Sequence, residues 1–124
     1  LGYGMTVTTV QLARAYSVIA NGGWLVSLDV VKGAPSFPRV RAIKESTAKS
    51  VLDMLLVAVN EGTGKNARVQ GFKVAGKTGT AKKVVNGRYA NRYYTSFAGF
   101  FPSENDAPNW YWQTRARQTL IFVC

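Results

Sequence analysis

Asn86-Gly87 stands between two long runs that suit a pleated sheet, and this arrangement constrains the chain more than any other stretch. A two-residue Asn-Gly turn needs left-handed backbone at both positions, which these residues tolerate best, and it joins neighbouring antiparallel strands. The run before it, 72–85, leaves through Lys82, Lys83, Val84 and Val85. The run after it, 93–101, is rich in the β-branched and aromatic residues that favour strands. A hairpin follows, its strands joined by a loop of Lys, Arg, Asn and Tyr.

The first of these strands carries the chemistry. Within Val74-Ala75-Gly76-Lys77-Thr78-Gly79-Thr80-Ala81 an apolar strand suddenly gains one ammonium and two hydroxyls placed around glycine. A strand interior usually tolerates glycine where another backbone comes close, so Gly76 and Gly79 mark a gap, and Lys77, Thr78 and Thr80 supply donors beside it. The stretch reads as a strand edge built to hold an anion. Composition alone predicts K-T-G-T roughly 0.005 times in such a chain, so chance is a poor account of it.

Lys77-Thr78-Gly79-Thr80 resembles the third active-site motif of the penicillin-binding proteins and serine β-lactamases, a set written S-x-x-K, S-x-N and K-T-G. The resemblance extends to Leu1-Gly2-Tyr3-Gly4-Met5-Thr6-Val7-Thr8 with Gln11-Leu12-Ala13, similar to the approach to a helix in class B penicillin-binding proteins. It extends also to Gly76 and the residues after it up to Lys83, and to Ser96-Phe97-Ala98-Gly99-Phe100, similar to their active-site strand and its neighbour. The lysine pair after Ala81 is most like that of the cell-division transpeptidases.

This resemblance implies that residues 1–106 are the C-terminal portion of a penicillin-binding transpeptidase domain, with 107–124 a divergent tail. It implies a serine-type D,D-transpeptidase that cross-links peptidoglycan stem peptides through an acyl-enzyme, and is stalled by penicillins. In that scheme Lys77 and Thr80 are catalytic, and Thr78, Gly79 and Thr80 bind the substrate terminus. Tyr89 and Tyr93 border the groove as possible contacts. The implied partners are the D-Ala-D-Ala end of a stem peptide, β-lactam antibiotics and, through the parent protein, other division proteins. The implied place is the bacterial inner membrane, with the domain facing the periplasm and the anchor far upstream.

Other sequence features narrow the alternatives. Sixteen Lys and Arg against six Asp and Glu give a net charge of +10, which favours anionic partners. The basic residues are scattered singly among apolar ones, without the block or stripe that marks nucleic-acid binding, so none is expected. One cysteine, Cys124, and no histidine leave neither an internal disulfide nor a zinc set, and no cofactor is implied. No uncharged apolar window is long enough to span a membrane. The chain opens on Leu1 and stops within an apolar run, Leu120-Ile121-Phe122-Val123-Cys124, where a strand is expected to continue, so it reads as a fragment.

Two further matches carry almost no information. Ser46-Thr47-Ala48-Lys49 fits S-x-x-K and Ser103-Glu104-Asn105 fits S-x-N, yet each pattern specifies two positions and is expected roughly 0.4 times by chance. The family places both motifs before the lysine strand, whereas Ser103 follows it. Ser46 reads as a helix N-cap and Ser103 as a turn residue near Pro102 and Pro108. With the nucleophilic serine absent, the chain alone is expected to form no adduct with penicillin.

Two helices complete the pattern. Thr8-Thr9-Val10-Gln11 has the form of a capping box, and the helix it starts runs to about Ala20, with Leu12, Ala13, Tyr16 and Ile19 on one face and Asn21-Gly22-Gly23 as its stop. A second helix over 46–60 sets Ala48, Val51, Leu52, Leu55, Leu56 and Val59 on one stripe and ends at Gly62-Thr63-Gly64-Lys65. This glycine loop lacks the spacing needed to wrap phosphates. The expected fold is α+β, an antiparallel sheet of 24–31, 72–85 and 93–101 with helices packed on it. The alternatives are a β-lactamase or β-lactam sensor on the same scaffold, and a non-catalytic basic binding module. The residues around Gly2-Tyr3-Gly4 and Gln11-Leu12-Ala13 speak against the former, and only charge supports the latter.

Overall fold

The computed structural model describes residues 7–27, 38–101 and 122–123. Helix α1, Thr9–Ala20, starts where the capping box requires: Gln11 N–H donates to Thr8 Oγ1 (3.2 Å) and Thr8 N–H to Gln11 Oε1 (2.9 Å). Two of the four N–H groups that every helix start leaves orphaned are satisfied in this way. Gly22 and Gly23, at φ 63° and 95°, then turn the chain out of the helix.

Helix α2, Glu45–Asn60, differs at its start from expectation. Its N-cap position is Lys44, which makes no side-chain cap, and Ser46 lies inside the first turn. Glu45 compensates, because a carboxylate in the first turn faces the positive end of the helix dipole. The predicted stripe is the packed face: Ala48, Leu55 and Val59 are buried, and Val51, Leu52 and Leu56 pack against the core.

The sheet is a hairpin plus a short third strand. Strand β3, Ala75–Val85, pairs antiparallel with β4, Arg88–Phe100, and β4 pairs on its far side with β5, Phe122–Val123. The turn is Asn86-Gly87 alone, with φ 51° and 75°, and Val85 sits directly opposite Arg88. Residues 88–92, expected as loop, are therefore strand, since the left-handed pair closes the ladder in two residues. The apolar end of the chain supplies β5, opposite Ala98 and Gly99.

The described part of the expected strand over 24–31 does not join this sheet. Trp24–Leu25 forms β1, which pairs with β2, Val40–Arg41, as a separate two-stranded ribbon. The Arg41 guanidinium stacks on the Trp24 ring at 4.1 Å and donates to the Gly22 carbonyl (2.7 Å), tying the ribbon to the end of α1. Residues 28–31 of that expectation lie outside the described residues. At the other end of β3, Phe72 makes only an isolated bridge with Val69 and packs edge-on against Phe101, so the ladder starts at Ala75 rather than 72.

The two helices cover one face of the hairpin. Leu55, Ala75 and Phe100 form the buried centre, with Tyr16, Ile19 and Ala20 of α1 packed against it. Phe100, 1% exposed, contributes about 1.5–3 kcal/mol by its removal from water. The result is an α+β arrangement in which α2 lies on β3 and its C-terminal end points at the K-T-G-T residues.

Candidate functional site

Side chains alternate between faces along a strand, so Lys77 shares the helix-covered face of Ala75, while Thr78 and Thr80 lie on the other. Burial falls off along β3: Ala75 and Gly76 are buried, Thr78 is half-buried, and Lys77, Gly79 and Thr80 are exposed. Among the described residues β3 pairs only with β4, so its other edge is open. The motif therefore begins where the sheet leaves the core and reaches solvent.

At that edge the ammonium of Lys77 is held by three acceptors. Nζ donates to the Thr78 carbonyl (2.9 Å), to Thr78 Oγ1 (3.1 Å) and to Thr63 Oγ1 (3.3 Å). The two threonine hydroxyls are themselves hydrogen-bonded at 2.7 Å. Lys77 and Thr78 start on opposite faces of the strand, and the ammonium nevertheless reaches both the Thr78 carbonyl and its hydroxyl. Thr80 lies two residues further along the strand, exposed and outside this network.

Thr63 is the residue that sequence reading did not select. It follows α2 directly, in a loop pinned to the helix end from both sides. Gly62 N–H donates to the Val57 carbonyl (3.2 Å) and Gly64 N–H to the Ala58 carbonyl (2.9 Å). A Cβ on Gly62 would come within 2.8 Å of the Ala58 carbonyl oxygen, and one on Gly64 within 3.1 Å. Arg68 closes the loop by donating to the Asn60 carbonyl (2.6 Å) and the Val59 carbonyl (3.3 Å). Its charge also suits the negative end of the helix dipole. The available signal was a threonine set between two glycines at a helix stop.

Gly76 and Gly79 have different neighbours. A Cβ on Gly76 would strike the Phe97 ring and approach the Ala98 carbonyl oxygen at 2.9 Å, whereas one on Gly79 would meet only Ser96 Oγ, at 2.6 Å. The first glycine serves packing of the hairpin on itself. The second lies in the exposed part of the strand.

The groove candidates sit farther out on the hairpin. Tyr93 is opposite Lys82, and Tyr89 opposite Val84; both rings are exposed. Lys82 Nζ stands 5.9 Å from the Tyr93 ring centre, and the Tyr93 hydroxyl donates to Asn91 Oδ1 at 3.4 Å. At about 3.3 Å per residue, Tyr93 is about 7 Å beyond Thr80 along the strand and Tyr89 about 13 Å.

Ser46 and Lys49 are exposed in the first turns of α2. That is the opposite end from Thr63, and the length of the helix separates Ser46 from the site by about 20 Å. Ser103 lies outside the described residues, as do residues 1–6. Among the described residues no group of His, Cys, Asp and Glu is placed to hold a metal ion, and no helix is long and apolar enough to cross a membrane.

Comparison with known proteins agrees with this arrangement. The profile described as "Penicillin binding protein transpeptidase domain" matches residues 1–118. "Probable peptidoglycan D,D-transpeptidase PenA" of Neisseria gonorrhoeae is 47% identical over 107 residues, 84% of this chain and 18% of that protein. "Peptidoglycan D,D-transpeptidase FtsI" of Escherichia coli K12 is 42% identical over 104 residues, 82% of this chain and again 18% of the relative. The chain thus spans under a fifth of these relatives' length. Among solved structures, the apo transpeptidase domain of Burkholderia pseudomallei penicillin-binding protein 3 superposes with a TM-score of 0.70 at 40% identity, covering 82% of this chain and 32% of that one. With a matching profile over nearly its whole length and the Lys77-Thr78-Gly79-Thr80 strand exposed at a sheet edge, this chain belongs to the penicillin-binding protein transpeptidase domain family.

Proposed function

We propose that this chain supplies the carboxylate-gripping strand of a longer peptidoglycan D,D-transpeptidase of the serine type. The observation that carries the reading is the cluster of Lys77, Thr78 and Thr63 at the open edge of β3. A stem peptide ending in D-Ala-D-Ala lies along that edge as an added strand, Gly79 leaving room for it. The hydroxyls of Thr78 and Thr80 hold the terminal carboxylate beside the Lys77 ammonium through charge-assisted hydrogen bonds.

A serine outside this chain attacks the penultimate D-Ala carbonyl, the terminal D-Ala leaves, and the acyl group passes to an amine of a neighbouring stem peptide. The oxyanion formed in each half needs preorganised donors, and Thr80 N–H is one. Support for its direction comes from the Lys77 to Thr78 carbonyl bond: a carbonyl reached from outside the sheet faces the open edge, and backbone groups two residues apart face the same way. Loss of one such donor costs about 3–4 kcal/mol of transition-state stabilisation. Penicillins enter as mimics of the acyl donor, and Tyr89 and Tyr93 line the outer groove.

The same reading puts the parent protein in the bacterial inner membrane with this domain in the periplasm, acting with division proteins in septal synthesis. The lysine pair Lys82-Lys83 after the motif, most like that of the cell-division transpeptidases, supports a septal role. Among the relatives is also one named stage V sporulation protein D, from Bacillus subtilis, at 38% identity, so the division role is tested separately by complementation of a division-deficient strain.

The decisive experiment uses a fluorescent penicillin and denaturing electrophoresis. The longer protein is labelled, its Lys77→Ala variant is not, and the chain by itself is not. Labelling of Lys77→Ala at the normal rate overturns the reading. A labelled band from the chain alone that vanishes in Ser46→Ala would make Ser46 a nucleophile.

A further inference from the structure

The hydrogen bonds of the Lys77 cluster can be assigned proton by proton, and the result differs from a lysine that grips a carboxylate directly. An ammonium has three protons, and those of Lys77 have three acceptors in place: Thr63 Oγ1, Thr78 Oγ1 and the Thr78 carbonyl. The hydroxyls of Thr63 and Thr78 carry two protons between them, and their mutual bond at 2.7 Å uses one. One hydroxyl proton remains. Both hydroxyls accept from a cation, which makes that proton a stronger donor to an anion than an ordinary alcohol's.

We infer that Thr63 is a positioning residue of the site: it holds the Lys77 ammonium on its inner side and locks the Thr78 hydroxyl, so that a threonine proton, polarised by Lys77, meets the substrate carboxylate. Thr63 suits this work because its loop cannot drift. Gly62 and Gly64 lie against the backbone of α2, and Arg68 ties off the helix carbonyls behind them. Without the Thr63 hydroxyl, one ammonium proton loses its acceptor and the Thr78 hydroxyl is free to rotate. The inference rests on the anion-binding reading of the strand proposed above.

The test compares a penicillin with its methyl ester, which lacks the anionic carboxylate, in the longer protein carrying this chain. Acylation rate constants are measured for the wild type, Thr63→Val, Thr63→Ser and Lys77→Ala, with thermal melting alongside. Thr63→Val is expected to slow acylation by the acid roughly 10- to 100-fold while changing that by the ester less than about threefold, and Thr63→Ser to restore the acid rate. Equal losses on acid and ester, or no loss on the acid, overturn the inference. If Thr63→Val does not melt cooperatively, Thr63→Ser decides alone: an acid-to-ester preference like the wild type's supports the positioning role, and a collapsed one overturns it. Lys77→Ala separates the two levels. Normal acylation there removes the anion-binding reading itself, whereas an inactive Lys77→Ala beside an unaffected Thr63→Val removes only the role of Thr63.

Discussion

Two glycines in one strand separate folding from chemistry at the scale of single residues. Added carbon at Gly76 would press on the Phe97 ring and on backbone atoms of Ala98 and Gly99, none of which can step aside cheaply. Gly76→Ala is expected to cost about 1–3 kcal/mol, read as a lower denaturation midpoint. At Gly79 the obstacle is the Ser96 hydroxyl, the end of a side chain that can rotate away. Gly79→Ala is expected to cost less than about 1 kcal/mol of stability. On the proposed reading, in which substrate lies along this strand, it should nonetheless slow penicillin acylation of the longer protein by roughly tenfold or more. A large stability loss at Gly79, or unchanged acylation, would show that the two glycines do not divide the work in this way.

The end of α2 is the element that carries the site. A helix stop leaves carbonyls without partners, and here Gly62 N–H, Gly64 N–H and the Arg68 guanidinium take them up. The same bonds that finish the helix therefore hold Thr63 against β3. Arg68→Met keeps much of the aliphatic stem and removes the two hydrogen bonds, at a cost of about 1–2 kcal/mol. Amide hydrogen exchange at Gly62 and Gly64 should speed up while exchange in β3 and β4 stays as it was. Uniformly faster exchange in both regions would instead mean that Arg68 supports the whole fold.

Over the whole molecule, α1 and the hairpin meet at Tyr16, whose phenol is pushed above its usual 10.0 by burial. Burial disfavours the phenolate, so Tyr16 supports the fold fully below the ordinary pKa and loses that contribution as pH rises through the elevated one. Stability should fall at strongly alkaline pH, and Tyr16→Phe should flatten that part of the curve in denaturant titrations followed against pH. An identical alkaline decline in Tyr16→Phe would place its cause elsewhere. Much of this arrangement was legible beforehand. The capping box at Thr8 and Gln11, the stripe of α2, the Asn86-Gly87 turn and the K-T-G-T strand all rest on contacts within a few residues, so neighbouring side chains and backbone preference determined them. Partners far apart in the chain were settled by docking: Trp24–Leu25 went to Val40–Arg41 rather than to the main sheet. Thr63 and Lys77 are fourteen residues apart and meet only because α2 lies along β3 and its capped end stops at the sheet edge. The sequence by itself determined the two helices, the hairpin turn and the order of donors along the K-T-G-T strand; the tertiary packing alone decided which hydroxyl stands beside the ammonium, since a hydrogen bond depends on final distance and no local preference encodes it.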